Sequence, residues 1–503
     1  MSGDALRFKI VIIGSGFAGL GMAIRLKQHG IEDFVVLERG REVGGTWRDN
    51  TYPGAACDVP SRLYSFSFAR QRDWSRSFSP QDEILDYLIH CSHAFGVRDH
   101  IRFVHTVSES WWDDAEGVWR VETDHGTYTG QILVPAVGGL SEPMIPDIPG
   151  LADFAGKVFH SATWDHDFDL TGKRVAVVGT GASAIQFVPR IQPKVASLHL
   201  FQRTPAWIMR QLDRRFTRVE RRIYRRIPLL GLIARAGIYW THESYAVGFS
   251  NPRLLKAASR LARLHLFRQV RDRELRAKLT PDYTMGCKRI LLSNDYYPAL
   301  TRPNVEVINA GLQRVTPTGV VGSDGTEREV DAIIFGTGFH VTDLPAAQGL
   351  RGRDGRVLAD VWRSNGVAAY LGTTVNGFPN LFTLVGPNTG LGHNSFVFMI
   401  ESQIAYVLDA IRRMTEDGLA VVEVREDVVT AFNRDLQRRL EGAVWTSGGC
   451  KSWYLDERGR NVTMWPGSTW RFRRMTRRFD PAAYHLYPSW EPAAEPVAAA
   501  TEA

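Results

Sequence analysis

An α/β protein with two Rossmann-like units and a helical insertion in the second is the fold class that the sequence predicts. Three observations carry it. Phe8 to Ile13 is a short β-branched run followed at once by GSGFAG, Gly14 to Gly19, and a helical stretch to His29. Arg174 to Val178 is a second such run, followed by GTGASA, Gly179 to Ala184. Between Arg210 and Lys278 the chain is Arg-rich and helical in pattern, interrupting the second unit.

In the first unit Gly14 permits a tight turn, Gly16 lets a pyrophosphate approach the backbone, and Gly19 allows close packing of helix on strand. A second strand, Phe34 to Leu37, ends at Glu38, with Arg39 after it. A carboxylate there accepts hydrogen bonds from an adenosine ribose, so the expected occupant lacks a 2′-phosphate. Gly44 to Asp58, GGTWRDNTYPGAACD, is too rich in Gly, Pro and aromatics for regular structure and reads as a loop over the ligand. Taken alone, it could equally be an ordered surface loop. Ser79 and Pro80 look like the N-cap and first residue of a helix whose apolar face, Ile84, Leu85, Leu88 and Ile89, belongs to the core. Val118 through Val137, with Asp124, His125 and Gly126 in its midst, reads as an antiparallel meander. It leads through Gly138 and Gly139 to SEPMIPDIPG, where the first domain boundary falls.

Phe154 to Asp165, FAGKVFHSATWD, lies between the two glycine turns and belongs to neither. A segment passing close to two cofactors needs backbone without bulk, a switchable donor and a large flat wall, which Gly156, His160 and Trp164 supply. In the second unit Gly179, Thr180, Gly181 and Ser183 form the turn and the helix start, so the chain should hold two nucleotides or the two halves of a hydride-exchanging pair. Its second strand, Ser197 to Phe201, ends in Gln202, Arg203 and Thr204, with no acid. An Arg beside a hydroxyl suits a 2′-phosphate and favours NADPH over NADH, although a surface Arg would look the same. Lys288 and Arg289 are adjacent, so on an extended backbone they point to opposite sides. Such a pair is usually just solvated. Asp331 to Phe339 reads as a buried strand ending in a small-residue turn. Pro379 to Asn388, with Gly390, Gly392 and a helix from Ser395, supplies a further strand, turn and helix N-terminus that would set Asn388 against a bound cofactor.

Composition narrows the class. A chain of 503 residues exceeds what one core supports, and 44% hydrophobic with 23% charged residues reads as soluble and globular. The N-terminus MSGDALRFKIVIIG runs straight into a strand without the regions of a signal peptide. Cys57, Cys91, Cys287 and Cys450 lie far apart with no C-x-x-C pair, which argues against a zinc site, a dithiol centre or a disulfide framework and points to a reducing cytoplasm. No metal is expected. The net charge of +7 resides in the Arg-rich stretch without any nucleic-acid module, so a solvated helical face is expected and nucleic acid is not. The alternative is an interfacial membrane contact, because Ile227 to Trp240 is apolar and flanked by arginines.

The pattern F-x-G-x-x-x-H-x-x-x-W-D, set by Phe154, Gly156, His160, Trp164 and Asp165, resembles the fingerprint of type I Baeyer-Villiger monooxygenases. A second fingerprint, G-G-x-W-x-x-x-x-Y-P-G-x-x-x-D, is matched by Gly44, Gly45, Trp47, Tyr52, Pro53, Gly54 and Asp58. Related flavin monooxygenases, which oxygenate nitrogen or sulfur in soft nucleophiles, carry Tyr or Phe in place of Trp164 and are the alternative reading. The resemblance implies FAD on the first unit and NADPH on the second, with ketone and O2 as substrates and a flavin peroxide as oxidant. It further implies that Lys288 joins Arg203 and Thr204 on the 2′-phosphate, and that Arg289 is the catalytic residue, positioned by Asp58. Trp453 matches a tryptophan touching the nicotinamide cofactor, while the segment after it departs from the commonest family form and leaves the choice of ketone open. His160 and Trp164 read as parts of a hinge between the nucleotide domains. On this reading residues 1–142 begin the FAD domain and 143–209 the NADP domain. The insertion is 210–285, the NADP domain resumes over 286–342 and the FAD domain over 343–490, and 491–503 is a disordered tail.

Overall fold

The computed structural model describes residues 5–250, 252–342, 345–450 and 452–490; the tail expected to be disordered lies outside the described residues. The first sheet grows from the β-branched run at the N-terminus. Strand β1 (Leu6–Ile13) pairs in parallel with β2 (Phe34–Glu38), which pairs with β3 (Ile101–Phe103). On its other side β1 meets the meander, β4 (Val107–Asp113), β5 (Val118–Thr123) and β6 (Gly126–Pro135), with β6 parallel to β1 and the hairpin closing at Thr123 opposite Gly126. Helix α1 (Phe17–Gln28) covers one face, buried through Leu20, Ala23 and Ile24 against a long C-terminal helix, Phe396–Glu416.

The second sheet is wholly parallel. Its strands are β7 (Lys157–His160), β8 (Arg174–Val178), β9 (Ser197–Phe201), β10 (Val305–Ile308) and β11 (Ala332–Phe335), ordered β10-β9-β8-β11-β7. Helix α2 (Ala182–Ile191) packs on it through Ile185, Phe187 and Val188. Both sheets thus match the two predicted units.

Between β9 and β10 the chain leaves the sheet, and its helices there include α3 (Arg218–Arg226), α4 (Pro228–Ser250) and α5 (Pro252–Gln269), with shorter ones at Arg273–Lys278 and Tyr296–Leu300. The segment that enters this insertion, Ile208–Met209, pairs in parallel with the one that leaves it, Leu291–Leu292. That pairing fixes where Lys288 and Arg289 return to the body of the protein.

Two local expectations shift. The helix after Ser79 spans Gln81–Ala94 with Pro80, not Ser79, at its N-cap, while the Ser79 hydroxyl turns to Ser61 Oγ at 2.7 Å. Pro379 to Asn388 forms no regular strand: Leu381 makes a single bridge to β6, and Asn380, Val385 and Asn388 sit at φ of 53°, 63° and 55°, where an extended ladder cannot continue. The helix that follows does start after Ser395.

The cysteine reading is also corrected. Cys287 and Cys450 form a disulfide, while Cys57 and Cys91 are free and buried. A separation of 163 residues hides such a pair from spacing arguments, because only the return of the insertion beside the C-terminal segment brings the two together.

Candidate active site between two dinucleotide cradles

At the first turn Gly14 has a φ of 97°, and a Cβ there would sit 3.0 Å from the Ala136 carbonyl oxygen. A Cβ on Gly19 would lie 1.8 Å from the Gly14 carbonyl oxygen, so only glycine lets α1 start so close to β1. Gly16 and Gly45 pack backbone to backbone, and a Cβ on Gly45 would come within 3.2 Å of Gly16 Cα. This bare cradle, at the N-terminus of α1 with no acid in the first turn, fits a pyrophosphate.

Glu38 ends β2 and is buried. Ser15 donates to Oε2 through its backbone N–H at 2.8 Å and its hydroxyl at 2.7 Å, and Gly40 N–H donates to Oε1 at 2.7 Å. Arg48 Nη1 completes the set at 2.6 Å from Oε1. Burial alone would raise the Glu38 pKa, but the Arg48 charge and these donors outweigh it and hold the carboxyl below its ordinary value. Arg48 was not singled out in the sequence, since it sits in a loop without periodicity. Arg39 turns away to Glu142 and to the Ser141 carbonyl at 2.9 Å, at the start of the interdomain linker. Trp47 donates from Nε1 to Tyr64 Oη at 3.1 Å.

At the second turn Gly179 has a φ of 110°, and a Cβ there would meet the Gly336 carbonyl oxygen at 2.4 Å. Gly181 is the N-cap of α2, with Ser183 in its first turn, and Thr180 Oγ1 donates to the Thr204 carbonyl at 3.3 Å. Lys288 Nζ lies 3.0 Å from Thr204 Oγ1. Burial and then the nearby Arg203 charge lower the Lys288 pKa. Two cations and a hydroxyl thus converge, and neither cation has a carboxylate bonded to it among the described residues, a donor set that fits a phosphate dianion.

Between the cradles Arg289 meets Asp58 in a two-pronged ion pair, Nε to Oδ2 at 2.6 Å and Nη2 to Oδ1 at 2.7 Å. Its third nitrogen, Nη1, has only a long contact of 3.4 Å to the Leu391 carbonyl. The Asp58 charge raises the Arg289 pKa further. For Asp58 burial pushes upward, but the guanidinium wins and the carboxyl stays below its usual range. Lys288 and Arg289 point to different partners, although the backbone bends at Lys288 and is not a regular extended stretch. Tyr454, also missed in the sequence, is buried where it feels both charges, and burial pushes its phenol up to about 12. Its neighbour Trp453 stays about half exposed, with ring centroids 4.5 Å apart. Asn388 is buried, donating from Nδ2 to the carbonyls of Asn461 at 2.9 Å and Met464 at 3.1 Å, while its Oδ1 has no partner among the described residues.

The segment from Phe154 to Asp165 forms the edge strand β7 and the turn after it. Gly156 is needed there because a Cβ would meet the Asp331 carbonyl oxygen and the Phe154 ring, each at 2.5 Å. His160 is buried, its Nδ1 accepts from Ala162 N–H at 3.1 Å, and desolvation lowers its pKa to about 4. Trp164 packs edge-on to Phe159 and tilted on Phe187 of α2, and Phe187 in turn meets Tyr52 of the first unit's loop. Asp165 pairs with Lys157 at 2.5 Å. The loop Gly44 to Asp58 is tied to the same helix, because Tyr52 Oη donates to Gln186 Oε1 at 2.9 Å and Gln186 Nε2 donates to the Ala56 carbonyl at 3.0 Å.

Two dinucleotide cradles with a partly exposed Arg–Asp pair between them define a class of flavin- and nicotinamide-dependent oxidoreductases. Residues 11–227 match the model of the pyridine nucleotide-disulphide oxidoreductase family. The chain is 52% identical over 480 residues to a Baeyer-Villiger monooxygenase of Streptomyces coelicolor, covering 95% of this chain and 92% of that one. With a Baeyer-Villiger monooxygenase of Pseudomonas aeruginosa the identity is 54% over 482 residues, covering 95% and 91%. Cyclohexanone monooxygenase from Rhodococcus sp. Phi1 bound to NADP+ superposes with a TM-score of 0.85 at 27% identity, over 96% of this chain and all of that one. OTEMO in complex with FAD and NADP gives 0.83 at 26%, over 97% and 100%. The chain belongs to the Baeyer-Villiger monooxygenase family.

Proposed function

We propose that the Arg289–Asp58 pair is the catalytic centre of this FAD- and NADPH-dependent monooxygenase, which converts ketones to esters or lactones with O2. The observation that carries the reading is the free edge of the guanidinium: Asp58 occupies two nitrogens and leaves Nη1 with one weak contact, on a side chain about a third exposed. When bound, the flavin supplies the reducing equivalents and the site where oxygen is activated.

The chain's own residues account for the rest. Arg289 cannot lose its proton, so it offers a fixed positive charge to the negative charge that develops on the substrate oxygen. Asp58 holds the guanidinium in one orientation and keeps the resting site close to neutral. Gly16 and Gly45 would bring bare backbone to the FAD pyrophosphate, with Gly14 making the turn and Gly19 the close helix packing, and Glu38, held by Arg48, would receive the ribose hydroxyls. Trp47 would wall that cradle and Asn388 would stand against the flavin ring, while Arg39 is engaged with Glu142 and the Ser141 carbonyl and would border the cradle. Gly179, Thr180, Gly181 and Ser183 hold the NADPH pyrophosphate. Arg203, Thr204 and Lys288 read its 2′-phosphate, and Trp453 covers the nicotinamide end. His160, neutral across the working pH range, is a structural element here and donates no proton. With Phe154, Gly156, Trp164 and Asp165 it couples the second sheet to the loop that carries Asp58. We place the enzyme in the cytoplasm on the supply of NADPH alone, because the Cys287–Cys450 disulfide removes the cysteine argument for that compartment.

The test separates the two half-reactions. Arg289→Ala should bleach its bound yellow cofactor with NADPH at a near-normal rate, yet lose ester formation by at least about 100-fold across a panel of ketones. Undiminished ester yield per NADPH consumed would sink the assignment.

A further inference from the structure

We propose that the outward face of the helical insertion, formed by α3 and the first two-thirds of α4, is a docking surface for an anionic lipid bilayer. The inference concerns where the protein sits and is independent of the reaction it performs.

The charge distribution is the first ground. Residues 210–240 hold nine Arg against two acids, Asp213 and Glu220, an excess of seven that equals the net charge of the whole chain. Residues 253–278 hold nine further Arg and Lys against two acids, so the insertion as a whole is strongly basic while the rest of the chain is net acidic. Both acids of 210–240 are already spent locally: Asp213 pairs with Arg76, and Glu220 pairs with Arg214 while closing the capping box of α3 with Thr217. Arg221 and Arg225 share Asp73. Arg218, Arg222 and Arg226 are exposed and have no carboxylate partner among the described residues. Unneutralised surface arginines at this density attract anions over roughly a Debye length.

The second ground is an apolar face where water should be. Val219, Ile223 and Ile227 recur every fourth residue, and Leu229, Ile233 and Trp240 continue outward along α4; their exposures are 67%, 39%, 47%, 62%, 60% and 60%. Single exposed hydrophobics need no explanation, but six in 22 residues with arginines beside them do. From Ile227 to Trp240 the only charged side chain is Arg235, and it turns inward to the carbonyls of Arg62 at 2.9 Å and Ser65 at 3.1 Å.

The third ground is that α4 cannot roll to hide this face. Its inner side is pinned by Arg235, by Tyr239 Oη at 2.9 Å from Thr469 Oγ1, by His242 Nδ1 at 2.8 Å from the His393 carbonyl, and by Glu243. That buried carboxylate accepts from Asn394 Nδ2 at 2.7 Å and Thr469 Oγ1 at 2.6 Å. Rotating the apolar stripe inward would break all of these at once. The face must therefore be covered by something from outside. A second copy of this face would bring unpaired arginines against one another, and a nucleic acid would leave the apolar stripe in water. A bilayer with anionic headgroups meets both demands: arginines at the phosphates, and Leu229, Ile233 and the Trp240 ring at the acyl boundary, with the helix lying in the plane. A helix too polar overall to span a membrane is what such a contact requires.

The experiment is co-sedimentation of the purified holoenzyme with vesicles of phosphatidylcholine alone and with vesicles in which about a third of the lipid is phosphatidylglycerol. Binding to the anionic vesicles only, weakened at least about tenfold by Arg222→Glu with Arg226→Glu and about tenfold by Leu229→Glu with Ile233→Glu, is the expected result. Both double variants lie on the exposed surface, so turnover in lipid-free buffer should be unchanged and report that they are folded. Absence of binding to either vesicle, or equal binding by the wild type and both double variants, would overturn the proposal. So would a concentration-dependent dimer, seen by sedimentation velocity without lipid and abolished by Leu229→Glu with Ile233→Glu, because it would assign the face to a second copy.

Discussion

The two dinucleotide units share a strand, a glycine turn and a helix, and they part company at the residue that ends the second strand. In the first, Glu38 is enclosed, with both oxygens taken by Ser15, Gly40 and Arg48 and its charge answered by Arg48. In the second, Arg203 and Lys288 stand together with Thr204 and no acid bonded to either. A pair of ribose hydroxyls needs an acceptor already held in place. A phosphate dianion brings its own charge and needs the protein to leave the other half of the ion pair open. On the reading proposed above, the same backbone would select different nucleotides through whether a charge is satisfied before the ligand arrives.

The comparison breaks most sharply at the cationic end. Arg203→Ala combined with Lys288→Ala should reduce the preference for NADPH over NADH by about 100-fold, chiefly through the KM for NADPH, since each charged contact is worth about 1.5 to 3 kcal/mol. An equal rise in both KM values would place the reading of the 2′-phosphate elsewhere. At the acidic end, Glu38→Gln should weaken FAD retention by about tenfold, measured by dialysis and absorbance, and leave the KM for NADPH unchanged. Loss of affinity for both cofactors would mean that Glu38 supports the fold more than the ribose.

The smallest effect on turnover is expected at His160, which belongs to the second sheet and has no counterpart in the first. An unfolded chain takes up a proton on this imidazole near pH 6.5, whereas the folded one refuses it until about pH 4. Its contribution to stability is complete above pH 6.5 and is lost as pH falls through that window, by about 1 to 3 kcal/mol. Melting His160→Asn between pH 7 and 4 by fluorescence should show a flatter pH dependence than wild type. An identical slope would remove His160 from the account.

What the sequence made legible follows the range of the interaction. The ends of β1, β2, β8 and β9, the turns at Gly14 and Gly179, and the acid or cation closing each second strand are local, so a few residues of pattern suffice. Asp58 and Arg289 are 231 residues apart and were brought together only by a family resemblance. No periodicity relates a glycine-rich loop to a segment leaving a helical insertion. Arg48 and Tyr454 escaped for a similar reason: each lies in an irregular segment beside a residue that a motif does name, Trp47 and Trp453. The stretch from Pro379 to Asn388 has strand-like composition, but left-handed backbone at three positions, which no composition announces, keeps it from extending.

The Cys287–Cys450 bond closes a covalent ring around most of the insertion's return, the long C-terminal helix and the residues flanking Asn388. A protease that cuts once anywhere within that ring does not release a fragment. Both pieces run together on a denaturing gel until a thiol is added, so this protein would reveal internal nicking under reducing conditions and conceal it otherwise.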